Sequence, residues 1–176
     1  RDGRRDLRRV HALMDRLNVD IGVFQEMETR FSFGGAPENA ALLAGPDRPH
    51  HFHGPSMREG EGWYGNLIVS RYPIVWARMH DLETRPVFEP RNAIDAVIAA
   101  PLGDIRIVET HLLLSPIERR CEARKLIELR DTVEQEEERP CFLMGDSNEG
   151  QGHVALLRFL NRTVAPVPCK ATLPAC

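Results

Sequence analysis

Residues 142–149 read Phe-Leu-Met-Gly-Asp-Ser-Asn-Glu, and the way this stretch ends decides the expected fold. Its apolar half is typical of a buried strand, although Gly-Asp-Ser-Asn on its own is typical of a turn. Together the two halves predict a strand that carries Asp146 and Asn148 at its C-terminal end. Ligands of open sheets bind at such strand ends. The stretch therefore marks one side of a candidate site.

Three further apolar stretches also have polar residues at one end. They are residues 19–26 (Val-Asp-Ile-Gly-Val-Phe-Gln-Glu), 65–71 (Gly-Asn-Leu-Ile-Val-Ser-Arg) and 105–112 (Ile-Arg-Ile-Val-Glu-Thr-His-Leu). Their polar ends supply Glu26, Asn66 and His111. A hydrolytic site is assembled from acids, amides and imidazoles that converge from several elements. One Gly-Asp-x-Asn alone would be a weak indication, whereas the ordered set predicts such a site.

In this order, the motifs Gln-Glu, Gly-Asn-x-x-x-Ser-Arg, Thr-His-Leu and Gly-Asp-x-Asn resemble those of the endonuclease/exonuclease/phosphatase superfamily. These are the magnesium-dependent phosphoesterases related to pancreatic deoxyribonuclease. The resemblance runs from about residue 6 to residue 149 and looks closest to small bacterial members. It implies an α/β fold, a four-layer α/β/β/α sandwich of two packed mixed sheets with outer helices.

The family also carries an Asn on a first strand and an Asp-His pair on a last strand, and neither motif is found in the chain. We therefore expect residues 1–176 to form a single domain of this family that lacks its first and last strands.

The resemblance assigns roles to the strand-end residues. Glu26 matches the glutamate that binds the metal, which is Mg²⁺ in the family, with Mn²⁺ as an alternative ion. Asp146 matches the residue that orients or deprotonates the attacking water. Asn148 lies two residues further on, so it points the same way if the strand continues and can then donate to the phosphate. His111 matches a histidine that lies against the scissile phosphate. Magnesium retains several waters, so one or two carboxylates suffice to hold it.

Asn66 and Arg91 are weaker candidates for binding the substrate phosphate. An Asn at the start of a strand often only satisfies backbone groups. Arg91 precedes a strand and can hold a phosphate oxygen in bidentate fashion, but a surface ion pair with Glu89 is nearly as well supported. Both alternatives stay open at this point.

Three histidines, His50, His51 and His53, raise the question of a zinc site. They lie within residues 28–63, a stretch rich in Gly and Pro that we predict to be mainly loop, with a short helix at 38–44. No cysteine and no helical spacing accompany them, so a solvated loop is favoured over zinc.

Local signals predict the remaining elements. Asp6 is expected to cap a first helix whose apolar positions, Leu17 among them, fall at helical spacing. Ser115 is expected to cap the longest helix, which extends to about residue 138, with Glu118 reaching back to the Ser115 amide. The other expected elements are strands at 74–80, 92–100 and 104–109 and a last helix at 153–160.

Composition limits the classes of function. The chain has 176 residues, of which 42% are apolar, enough for one domain with its own core. Its net charge of −3 produces no global positive field that would attract nucleic acid or anionic lipid. No stretch approaches the roughly 20 apolar residues of a membrane helix. The four cysteines show no Cys-x-x-Cys spacing, which favours free thiols and a cytoplasmic location.

The sequence therefore predicts a magnesium-dependent phosphoesterase that hydrolyses a phosphodiester by in-line attack of water. A small or lipid-type diester is the favoured substrate, because non-specific nucleases gain much of their affinity from phosphate neutralisation. A nuclease acting on DNA or RNA is the first alternative, and a non-catalytic scaffold that keeps the fold is the second.

A basic cluster at Arg1, Arg4, Arg5, Arg8 and Arg9 is expected to be a solvated helix face. No feature of the sequence indicates an oligomeric state.

Overall fold

The computed structural model describes residues 6–85, 89–134, 139–148, 160 and 165. The elements in this part of the chain are α1 (Leu7–Arg16), β1 (Ile21–Glu28), a 3₁₀ turn (Phe31–Phe33), α2 (Asn39–Ala44), β2 (His50–Glu59), β3 (Gly62–Ser70), β4 (Ile74–Asp81), β5 (Asn92–Ala100), β6 (Gly103–His111), α3 (Pro116–Glu134) and β7 (Cys141–Asp146). None of the helices among the described residues is long and apolar enough to cross a bilayer.

The strands form two sheets. The first sheet has the order β1-β3-β2, and both of its pairs are antiparallel. The second has the order β4-β5-β6-β7, in which β6 and β7 are parallel and the other pairs antiparallel. Helix α3 connects the parallel pair, since parallel neighbours need a crossover connection.

The two sheets pack face to face around an aliphatic core. Its buried members are Ile68, Ile94, Ala96, Ile98 and Ile107. Met14 of α1 and Leu43 of α2 pack on the outer face of β3, and Leu126 of α3 packs near Val108 on the outer face of the second sheet. The order is helix, sheet, sheet, helix, so the predicted four-layer α/β/β/α sandwich is confirmed.

Alternation along β6 decides which of its side chains face the other sheet. Ile107 belongs to the core between the sheets, whereas Val108 and Leu112 belong to the core beneath α3. Because successive side chains of a strand point to opposite faces, Glu109 and His111 lie on the same face as Ile107. The acid and the imidazole of β6 are thus directed toward the first sheet.

The predicted start of α1 is confirmed in detail. The Asp6 carboxylate accepts hydrogen bonds from the backbone amides of Arg8 and Arg9, at 3.1 and 3.3 Å. Leu17, which was counted among the apolar positions at helical spacing, is 63% exposed and does not share the buried face of Met14. Leu17 is the C-cap residue and lies beyond the last turn of α1, where the helical periodicity no longer applies.

Strand β2 corrects the expectation that residues 28–63 are mainly loop. His50, His51 and His53 all lie in this strand, which pairs with β3 along His50–Glu59. Pro55 obscured the strand pattern, but a proline is tolerated in an edge strand, and the register shifts just beyond it. The ring of His53 stacks on that of Trp63 at 5.1 Å between centroids.

Two further expectations concern α3 and β7. The Glu118 carboxylate accepts a hydrogen bond from the Thr84 hydroxyl and lies 3.4 Å from Arg85 Nε. The sequence had predicted only a contact of Glu118 with the Ser115 amide. The strand that starts at Cys141 was expected to be buried, but Phe142 is 43% exposed, because β7 is the last strand of its sheet among the described residues. Residues 135–138 and 153–159, part of the predicted helices, lie outside the described residues.

Candidate active site

Strand β1 presents Glu26 at a β-bulge. The pairing of β1 with β3 shifts register between Phe24 and Met27, and Glu26 has a left-handed backbone with φ of 57°. Glu26 was expected at the very end of its strand, but β1 continues for two more residues, to Glu28. Bulges bend a strand and change the direction of its side chains. The Glu26 side chain is exposed even though its neighbour Met27 is buried.

The neighbouring Gln25 links the bulge to the second sheet. Its Nε2 donates a hydrogen bond of 2.9 Å to Oε1 of Glu109. Glu109 is fully buried, and burial raises the pKa of its carboxyl to about 8 although the hydrogen bond from Gln25 acts in the opposite direction. Sequence reasoning missed this pair. The available signal was a glutamate in an otherwise apolar run, on the strand face shared with His111.

A glycine allows β7 to bring Asp146 beside His111. These two residues are partners in the parallel register, and a Cβ at Gly145 would clash with the carbonyl oxygen of Thr110 on β6. Gly145 also has φ of 132°, a conformation that side chains disfavour. The glycine of Gly-Asp-x-Asn is therefore required for close packing of β7 on β6.

Asn148 turns back toward the end of β6. It has φ of 51°, and β7 ends two residues earlier, so the expectation that the strand continues through Asn148 is wrong. Its Nδ2 donates to the Leu112 carbonyl oxygen at 2.7 Å and lies 3.0 Å from Nε2 of His111. The latter contact is a hydrogen bond in the tautomer that carries its proton on Nδ1. The backbone amide of Asn148 also donates to Oδ1 of Asp146 at 2.8 Å.

The electrostatic environment of His111 includes charged groups from both sheets. Burial and the positive charge of Arg91 lower the pKa of its imidazole, and the carboxylates of Asp146, Glu26 and Glu89 act in the opposite direction. Burial has the largest effect, so the neutral form of the ring is favoured. Charged groups from both sheets thus act on one histidine.

Arg91 occupies a buried position beside this histidine. Its guanidinium is 9% exposed, and Nη1 lies 2.6 Å from Oε1 of Glu89. Arg91 does form the ion pair with Glu89 that was considered as an alternative. The pair was expected at the surface, but the Arg91 side chain is buried. Nε of Arg91 is buried and has no hydrogen-bond partner among the described residues. Tyr64, which sequence reasoning did not select, lies near this group, and burial together with Glu89 and Glu26 raises its pKa to about 12.

Asn66 is buried between the sheets. Its Nδ2 donates to the carbonyl oxygen of Asn92 at 3.2 Å, and Asn92 in turn donates to the carbonyl oxygen of Gly54 at 3.2 Å. The amide nitrogen of Asn66 is thus used to satisfy a backbone group. Its role in binding phosphate stays a prediction.

The donor chemistry around Glu26 fits a hard cation. No group of three or more His, Cys, Asp or Glu residues that could hold a metal ion is gathered within the described part of the chain. Magnesium is commonly bound by one or two carboxylates, with waters and substrate oxygens completing its shell. The exposed carboxylate of Glu26 meets that requirement, whereas a structural zinc site would need four protein ligands.

The sequence matches the profile of the Endonuclease/Exonuclease/phosphatase family over residues 1–173. The chain belongs to this family. This confirms the resemblance drawn from the ordered motifs. A comparison with curated proteins found no significant match.

Solved structures share the fold. An endonuclease/exonuclease/phosphatase from Beutenbergia cavernae DSM 12333 is 24% identical, with a TM-score of 0.65 over 83% of this chain. A mannosyl-6-phosphatase from Bacteroides thetaiotaomicron VPI-5482 is 15% identical, with a TM-score of 0.72 over 89% of the chain. Truncated TDP2 from Caenorhabditis elegans is 18% identical, with a TM-score of 0.62 over 88%. The chain spans 43%, 61% and 60% of these three proteins, respectively.

Proposed function

We propose that the intact protein is a metal-dependent phosphoesterase that hydrolyses a phosphodiester by in-line attack of water. The observation that carries the proposal is the convergence of residues from both sheets on His111, with Glu26 from the first sheet and Asp146 and Asn148 from the second. Acid, amide and imidazole groups in one place are what a hydrolytic site needs.

Glu26 is the proposed ligand of the divalent cation, with Mg²⁺ favoured and Mn²⁺ as the alternative. When bound, such an ion neutralises charge on the phosphate oxygens. The bulge supports this role because it leaves the carboxylate exposed and accessible to water and substrate. A single protein carboxylate can hold Mg²⁺ when waters and substrate oxygens complete its coordination shell.

Asp146 is the proposed group that orients or deprotonates the attacking water. The backbone amide of Asn148 donates to its Oδ1, which fixes the orientation of the carboxylate. A general base needs to be held within hydrogen-bond reach of the water that it deprotonates. The parallel register of β6 and β7 supports this role, because it fixes Asp146 opposite His111.

His111 and Arg91 are the proposed groups that contact the phosphate, and Asn148, whose Nδ2 contacts the Leu112 carbonyl oxygen and Nε2 of His111, is the proposed group that orients the imidazole. The lowered pKa of His111 supports a role as a neutral hydrogen-bond partner rather than a cation. The positive charge is supplied by Arg91, whose Nε has no partner among the described residues. Preorganised donors of this kind stabilise the charge that develops on the phosphate oxygens in the transition state.

A small or lipid-type diester is the favoured substrate, and a nucleic acid is the alternative. The net charge of −3 supports this order, since binding of duplex DNA relies heavily on positive charge. Among proteins of similar structure, one is named a mannosyl-6-phosphatase. One fold can host many substrates, so the fold does not decide between them.

The test is the substitution Glu26→Gln in the intact protein. Hydrolysis of bis-nitrophenyl phosphate with saturating Mg²⁺ should fall by roughly 10²-fold or more, because removal of a charged ligand removes several kcal/mol of transition-state stabilisation. The matched control is Glu61→Gln, the same change at an exposed glutamate in the turn between β2 and β3, which should keep its activity. Equal activity in the Glu26 variant would overturn the metal role.

A further inference from the structure

The two sheets are joined by polar side chains only near the site, as far as the described residues extend. The interior is otherwise aliphatic, with Ile68, Ile94 and Ile98 fully buried. One polar link is the hydrogen bond from Gln25 to Glu109, and the others join Asn92 of β5 to Asn66 of β3 and to Gly54 and Ser56 of β2. The link through Gln25 lies next to Glu26 in the chain, so it is the one that can affect the proposed metal ligand.

Glu109 is an unfavourable residue for the core. Its side chain is fully buried, Oε1 accepts the hydrogen bond from Gln25, and Oε2 has no partner within the described part of the chain. Burial of a polar atom without a partner opposes folding, and an aliphatic side chain of similar size would avoid that loss. Stability alone therefore does not account for a glutamate at this position.

Gln25 lies in the one irregular part of the pairing between β1 and β3. The register shifts between Phe24 and Met27, and the next residue, Glu26, adopts the left-handed backbone that is uncommon outside glycine. Such a conformation persists only where the surroundings hold it in place. The side chain of Gln25 supplies a contact that anchors this bulge to the opposite sheet.

We propose that Glu109 is a positioning residue for Glu26. By holding Gln25, it fixes the bulge of β1 against β6, the strand that also carries His111 two residues further on. The distance between the metal ligand and the imidazole is then set by one hydrogen bond between the sheets. This inference rests on the metal role proposed for Glu26.

The experiment measures Mn²⁺ affinity directly, by electron paramagnetic resonance of free Mn²⁺ in titrations of the intact protein. Glu109→Leu and Gln25→Met each remove one partner, and we expect each to weaken Mn²⁺ binding by about tenfold, as for other residues that orient metal ligands. The double variant should be no weaker than either single one, because both lose the same hydrogen bond. Glu109→Gln keeps an oxygen acceptor and should bind Mn²⁺ as the wild type does.

Ile98→Val is the matched control for a purely structural effect. It removes one methylene from the core between the sheets, near the end of β5 that lies away from His111. It should therefore lower stability without changing Mn²⁺ affinity. If Glu109→Leu does not fold, Gln25→Met tests the same hydrogen bond from a partly exposed position.

Two negative results are distinguishable. Unchanged Mn²⁺ affinity in Glu109→Leu and Gln25→Met, with affinity lost in Glu26→Gln, would overturn the positioning role and leave the proposed function intact. Unchanged affinity in Glu26→Gln as well would overturn both the metal role and this inference.

Discussion

Nδ2 of Asn148 lies 3.0 Å from Nε2 of His111, so the ends of β7 and β6 are joined by side chains as well as by the parallel backbone pairing of Asp146 with His111. The same amide group donates to the Leu112 carbonyl oxygen. Asn148 therefore holds the imidazole in one tautomer and orientation while its own position is held by the backbone.

This relationship predicts that His111 and Asn148 act as a unit. We expect His111→Ala and Asn148→Ala each to lower kcat by roughly 10²-fold, and the double variant to be little worse than either, because residues of one unit are strongly non-additive. Steady-state hydrolysis of a chromogenic diester by the intact protein measures all three. Effects that multiply would indicate that the two side chains act independently.

Asp146→Asn should lower kcat by about 10²- to 10⁴-fold and leave KM nearly unchanged, since a base acts mainly in the transition state. Asp104→Asn is the control, because this carboxylate is exposed at the start of β6, far along the strand from His111. A variant in which only KM changed would assign Asp146 to substrate binding instead.

Glu109 predicts a pH dependence of stability. Its pKa is raised in the folded state from 4.5 to about 8, so the folded protein holds this proton more tightly than the unfolded chain. The resulting stabilisation of the folded state is complete when the pH is below 4.5, the pKa of Glu109 in the unfolded chain. It is lost as the pH rises toward about 8, the pKa of Glu109 in the folded protein. Between these values the unfolding free energy of the wild type should fall relative to Glu109→Gln by up to about 1.4 kcal/mol per pH unit.

Urea denaturation of the two proteins at several pH values in that window measures the difference. Burial also raises the pKa of Glu122, but this group is present in both proteins and cancels. A difference in unfolding free energy that stays constant with pH would contradict the assignment to Glu109.

The buried ion pair of Arg106 with Asp95 predicts a large loss of stability on truncation. Two hydrogen bonds of 2.7 Å join the side chains, and both are almost fully buried. Asp95→Ala should lower the unfolding free energy by about 3–5 kcal/mol, because it leaves a buried charge without its counter-ion. The exposed pair of Arg71 with Asp20 is the comparison, and Asp20→Ala should cost less than about 1 kcal/mol. Equal losses in chemical denaturation would refute the contrast.

The net charge of −3 predicts weak binding of duplex DNA. We expect hydrolysis of bis-nitrophenyl phosphate to exceed cleavage of plasmid or oligonucleotide at about 0.15 M salt. Of the basic cluster near the N-terminus, Arg8 and Arg9 lie on α1, and the remaining arginines lie outside the described residues. Efficient plasmid nicking at that salt concentration, lost in Asp146→Asn, would restore the nuclease alternative.

The sequence alone determined the features that depend on neighbours in the chain. The Asp6 cap acts within three residues of itself, and β5 and β6 lie where strands were predicted at 92–100 and 104–109, with a turn at Pro101 and Leu102 between them. The ordered motifs identified the family, and with it the sandwich. These succeed because caps, turns and strand motifs are local patterns.

Only the tertiary structure decided how the site is built. Gln25 and Glu109 are 84 residues apart, and their contact exists because the sheets pack face to face. The same holds for the bulge that turns Glu26 outward and for Asn148 turning back to His111. The edge strand β2 formed despite Pro55, since pairing with β3 outweighed its local pattern. Burial and pairing across sheets depend on which surfaces meet, and no local pattern contains that information.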